Sequence, residues 1–173
     1  MERNTIMKKI FLVMCFVFLF ASTIGFAQSK NIPDSEAALG GVHIGASMDY
    51  VRSIYGEPSD YSYGYDTFGN PTTIYRYGNG YYFYVYYNKA GESYINEITT
   101  DANNGIATPA GITVGTPEDV VMNTYGRLLP KKSTSRKHYF TYTTHEHYEV
   151  IDITTSRKGG NFYVSKIHLR FEG

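Results

Sequence analysis

The chain has 173 residues, with 16 Lys+Arg against 16 Asp+Glu, 18 Tyr, 10 Phe, one Cys and no Trp. This balance supplies no basic face of the kind nucleic acid requires. A single Cys excludes an intrachain disulfide framework and a Cys-rich metal site, so aromatic packing must carry the stability.

Arg3, Lys8 and Lys9 form a basic start, and residues 10–20 are an apolar run that contains Cys15. Small residues follow, ending in Gly25, Phe26 and Ala27. The pattern predicts a secretory signal peptide over residues 1–27, cut after Ala27. The apolar run is shorter than the roughly 20 residues of a membrane span. Cys15 stands inside that run rather than at the cut, which argues against lipid attachment. The expected product is secreted or periplasmic, is not a lipoprotein and has no transmembrane span. It keeps 13 basic against 15 acidic residues and no thiol.

Residues 28–40 are polar, contain Pro33 and end at a Gly pair, which reads as a flexible lead. The chain then repeats itself, and the repeat predicts two units, 41–110 and 111–173. Gly41, Gly45, Asp49, Val51, Tyr55 and Gly56 recur as Gly111, Gly115, Asp119, Val121, Tyr125 and Gly126. Later, Tyr94, Ile95 and Ile98 are answered by Tyr163, Val164 and Ile167.

Each unit is expected to open with a helix. Ser47 or Ala46 caps the first, whose apolar stripe is Tyr50, Val51, Ile54 and Tyr55. Thr116 and Pro117 open the second, with Val120, Val121, Tyr125 and Leu128 or Leu129 on one side. Asp49 and Asp119 fall in the first turns, where a carboxylate faces unpaired N–H groups. Gly56 and Gly126 are suited to a positive φ at the helix ends. Strands are expected at 73–77, 81–87 and 94–100, the first two flanking an Asn-Gly turn. In the second unit they are expected near 137–144, 147–155 and 162–171, with residues 101–110 joining the units. The predicted class is α+β: two tandem repeats, each a helix on a three- to four-stranded antiparallel meander, with the option that the meanders merge into one curved sheet.

The helix pattern, Gly-x-Ser/Thr followed by Val and a Tyr-Gly pair, resembles two related families. One is the SmpA/OmlA family of small outer-membrane lipoproteins, which serve β-barrel assembly. The other is the β-lactamase inhibitor proteins, built as a tandem of such units. The resemblance covers nearly all of residues 41–173, without the lipidated Cys of the first family or the disulfides of the second. It implies two sheets joined into a surface that grips a protein partner.

Alternation along residues 81–87 turns Phe83 and Val85 toward the helix and Tyr82, Tyr84 and Tyr86 to the opposite face. The same reasoning places Arg76, Ile95 and Glu97 on that outer face, with Val150, Asp152, Thr154, Lys166 and His168 from the second unit. Tyrosines there are contact groups of the kind enriched at protein interfaces. The expected partner-binding residues are Tyr82, Tyr84, Tyr86, Arg76, Glu97, Asp152, Lys166 and His168.

His145, Glu146 and His147 lie at a hairpin turn without a third ligand nearby, so no metal or other cofactor is expected. His43 aligns with Thr113 and reads as structural. Lys131, Lys132, Arg136 and Lys137 read as a solvated loop. No nucleophile can be matched with a base, and none of the motifs for phosphate loops, serine elbows or zinc helices is present. The expected function is an exported, non-catalytic module holding an extracytoplasmic protein on its sheet face. The alternative is a glycan- or wall-binding module that uses exposed tyrosines.

Overall fold

Alternating apolar and polar side chains build strands through about half of residues 31–145 and 148–172, which the computed structural model describes. The apolar run and the expected cut after Ala27 lie outside the described residues, as do Glu146 and His147 of the hairpin turn. The elements run β1 (Asn31–Ile32), a 3-10 turn (Asp34–Glu36), β2 (Ala38–Leu39), β3 (Val42–His43), α1 (Met48–Tyr55) and β4 (Asp60–Tyr65). They continue with β5 (Pro71–Tyr77), β6 (Tyr81–Tyr87), β7 (Ser93–Thr100) and α2 (Glu118–Tyr125). The chain closes with β8 (Lys132–Ser133), β9 (Lys137–Thr144), β10 (Glu149–Lys158) and β11 (Asn161–Phe171).

Nine strands form one sheet in the order β1-β9-β10-β11-β7-β6-β5-β4, with β8 paired to β9, while β2 and β3 form a separate hairpin. Among the described strands only β1 pairs in parallel. This corrects the expected architecture. The molecule is mostly sheet, one mixed sheet over one core, and not two helix-on-meander units. Each helix has eight residues and is therefore only about 12 Å long. Two residues of each are buried, Met48 and Val51 in α1 and Val121 and Tyr125 in α2. So little helical surface cannot cover a meander alone; Leu39, Val42, Ile44 and Ile112 share the cover with the helices, and the strands of both halves join edge to edge. β7 meets β11 edge to edge, with Ile98 opposite Leu169 and Thr100 opposite Ile167. Residues 31–40, expected as a flexible lead, carry β1 against β9 at the far edge and bury Ile32 and Leu39.

Helix α1 starts where Ser47 Oγ accepts the Tyr50 N–H at 3.2 Å, with Asp49 in the first turn. It ends at Gly56 (φ 75°, ψ −155°), and α2 ends at Gly126 (φ 98°, ψ 153°). Both lie in a corner of backbone space open essentially to glycine alone, not in the left-handed helical region. In α1, Tyr50 and Ile54 of the expected apolar stripe are exposed, and in the second segment Val120 and Leu129 are exposed. Pro117 takes the cap position of α2, while Thr116 Oγ1 accepts the Thr113 N–H instead.

The matched sequence segments carry matched backbone bonds. Gly45 N–H donates to Ile95 O and Gly115 N–H to Val164 O, each at 2.8 Å. Ile95 and Val164 return bonds to Ala46 O and Thr116 O. Just beyond them the register slips, between Tyr84/Val85 on β6 and between Thr154/Thr155 on β10. The extra residues are Asn96 and Ser165, so each strand carries a bulge. The bulge turns residues three apart, Ile95 with Ile98 and Val164 with Ile167, to the same buried side. Ile95 therefore belongs to the core, fully buried, and not to the outer face where strict alternation had put it. The core face is otherwise as alternation requires: Tyr81, Phe83, Val85, Phe140, Tyr142, Ile151 and Ile153 join both helices in one cluster.

Candidate functional site

On the face opposite the helices, register places Tyr84 beside Glu97, Glu97 beside Arg170, and His168 beside Asp152. Four central strands, β6, β7, β11 and β10, thus bring residues from both halves of the chain into one polar cluster. Glu97 is only 2 % exposed. Its Oε1 accepts the Thr67 N–H at 2.6 Å and its Oε2 lies 3.1 Å from His168 Nε2. Burial pushes the Glu97 carboxyl up, but the hydrogen bonds from His168 and Thr67 outweigh it and hold the carboxyl below its usual range. An ionised carboxylate only accepts, so His168 must present a proton on Nε2. Beside this pair, Arg170 Nε donates to Asp152 Oδ2 at 2.7 Å, and Thr141 Oγ1 donates to Asp152 Oδ1 at 2.7 Å.

The β4–β5 loop folds over the edge of this face. Asn96 Nδ2, on the bulge, donates to Asp66 Oδ2 at 2.7 Å, and Asp66 Oδ1 accepts the N–H groups of Phe68 and Asn70. One carboxylate thus organises the loop and fixes it to β7, which carries the Thr67 N–H to Glu97. Three buried side-chain atoms have no hydrogen-bond partner among the described residues: Thr72 Oγ1, Asn96 Oδ1 and Thr99 Oγ1. Register puts Thr72 and Thr99 on the outer face, across from Tyr86 and Tyr82.

Of the expected contact residues, Tyr84, Glu97, Asp152 and His168 meet in the cluster. Tyr82 and Tyr86 flank it, both half-buried, and Tyr86 packs on Tyr94 with ring centroids 5.6 Å apart. Burial, with Glu97 nearby, pushes the Tyr84 hydroxyl up. Arg76 is drawn to the rim, where it meets Asp60 of β4 at 3.4 Å. Lys166 stands opposite Thr154, two residues along β11 from His168. Sequence reasoning missed Arg170 and Thr141, although alternation from His168 and opposite Asp152 would have found both. It could not have found Asp66 and Thr67, because a loop has no periodicity to read.

A second polar cluster supports α2. Glu118 binds His138 Nδ1 at 2.9 Å and accepts from the Thr155 hydroxyl, and His138 stacks on Phe162 at 3.8 Å. Thr155 is fully buried and the carboxylate stands between the two partners, so this clamp holds the helix start to β9 and β10. His145 Nδ1 lies 3.3 Å from Asn31 Nδ2, and His43 is exposed on β3. Among the described residues no three His, Cys, Asp or Glu side chains gather as metal ligands, and no helix is long and apolar enough to cross a membrane. Comparison with protein-family models, with curated proteins and with solved structures finds no match to this chain.

Proposed function

We propose that this is an exported, non-catalytic module that binds an extracytoplasmic protein on the open face of its sheet. The observation that carries the reading is the outer face itself. Both helices pack on the other side, which leaves Tyr82, Tyr84 and Tyr86 beside the Arg170–Asp152 ion pair and the His168–Glu97 hydrogen bond. Aromatic and Arg groups held in place before binding lose little entropy on association, as a contact surface requires. The resemblance of residues 41–56 and 111–126 to the inhibitor and assembly-lipoprotein families supports the same reading.

The test is co-purification from an envelope extract with mass spectrometry, followed by titration of the recovered partner. The Tyr82→Ala, Tyr84→Ala double variant should bind at least 30-fold more weakly, because central aromatic anchors commonly contribute about 2 kcal/mol or more each. Phe83→Ala is the folding control. It removes a fully buried ring and should lower stability by about 3–5 kcal/mol. A double variant that folds and binds like the parent chain refutes the assignment of this face.

A further inference from the structure

We propose a second binding site, for a neutral glycan, in a trough formed by β4, β5 and β6 at the edge of the sheet. The trough follows from residue size in register. On the core-side face, beyond the reach of α1, the middle strand β5 presents Pro71 and Thr73. Its neighbours present tyrosines: Tyr65 opposite Pro71 and Tyr63 opposite Thr73 on β4, and Tyr87 at the end of β6. Small residues between large ones leave a groove of about 660 Å³ along the strands.

Three properties of the groove define its ligand. First, its rings are in solvent: Tyr63 is 81 % exposed, Tyr65 70 % and Tyr87 47 %. Tyrosine rings exposed as a group on a strand scaffold are a contact patch in search of an apolar face. With Tyr61 edge-on to Tyr63 at 6.0 Å, the rings at positions i, i+2 and i+4 of β4 span about 13 Å. Second, the lining residues carry no formal charge, and the nearest acid on β4, Asp60, is engaged by Arg76. A charged polymer gains nothing there. Third, the groove offers tyrosine hydroxyls and the unpaired outer N–H and C=O groups of the edge strand. A ligand with apolar C–H faces, many hydroxyls and no charge matches all three, and a neutral saccharide chain is such a ligand. The C–H faces of a pyranose carry partial positive charge and lie against the negative face of an aromatic ring.

This site is independent of the outer-face reading, since Tyr63 and Tyr65 lie on the other side of the sheet from Tyr82 and Tyr84. Native gels cast with hydroxyethyl cellulose, galactomannan or starch, and a control gel with polygalacturonate, read the binding as retardation. The parent chain should be retarded by at least one neutral polymer and not by the anionic one. Tyr63→Ala with Tyr65→Ala should weaken retardation at least tenfold without moving the urea midpoint, while Tyr63→Phe keeps it. Tyr82→Ala with Tyr84→Ala should leave it unchanged. No retardation by any neutral polymer, preference for the anionic one, or a Tyr63/Tyr65 double variant retarded like the parent overturns the proposal. So does loss of retardation only in the Tyr82/Tyr84 variant. Protein capture that depends on Tyr63 and Tyr65 without any retardation would instead assign the β4 edge to a peptide strand.

Discussion

Glu97 shows how one side chain can be both structural and surface-forming. Its carboxylate receives the β4–β5 loop through Thr67 and steadies His168 on β11, so it joins three parts of the chain at one point. Replacing it with Gln keeps the shape and removes the charge, leaving the imidazole and the Thr67 N–H with a weaker acceptor. The expected loss at neutral pH is about 1–3 kcal/mol, the range for a buried polar group left poorly paired. The pH dependence has a definite sign. The folded carboxyl titrates below its unfolded value, so its stabilisation is present above the ordinary Glu range and is lost as pH falls through the folded value. Urea titrations at neutral pH and at about pH 3 should therefore show the gap between parent and Glu97→Gln closing in acid. A gap that stays constant would mean that the charge does not contribute.

At the level of elements, the helix ends and the strand bulges were set by different kinds of information. Tyr55-Gly56 and Tyr125-Gly126 announced where the helices stop, because only glycine reaches the backbone angles found there. A Cβ on Gly56 would touch nothing within 4 Å, so substitution there isolates the backbone cost. Gly56→Ala should lose about 1–3 kcal/mol in urea titration, and Gly56→Asn should recover little, since the angles are not those of the left-handed helix that Asn tolerates. Equal stability of Gly56→Ala and the parent chain would contradict this geometry. The bulges at Asn96 and Ser165 were not legible. Strict alternation put Ile95 outside, and only the pairing of β7 with β6, bent by the extra residue, brought it into the core. Likewise β4 was not foreseen, because its alternation of Tyr with Ser and Gly lacks an apolar face to mark a strand.

For the whole molecule, the interlocking of the halves leads to a thermodynamic expectation. β1 comes from the start of the described chain but pairs with β9, and the Tyr125 hydroxyl on α2 donates to Glu36 at 2.8 Å and lies 2.6 Å from the Thr108 hydroxyl. With β7 and β11 paired at the centre and one continuous core, neither half has a closed surface of its own. Unfolding in urea should be a single transition, coincident by far-ultraviolet circular dichroism and tyrosine fluorescence, and a chain of residues 111–173 alone should not fold. Two separated transitions would reveal independent units. The sequence by itself determined the duplicated segments, the helix starts and stops, and the side of β6 and β10 that faces the core, because these depend on local backbone preference and on the two-residue period of a strand. Tertiary structure alone decided that the strands join in one sheet, that a loop covers Glu97, and that Tyr63 and Tyr65 border a groove. Those outcomes rest on pairings between residues tens of positions apart, where burial and hydrogen-bond satisfaction, not local pattern, select the partner.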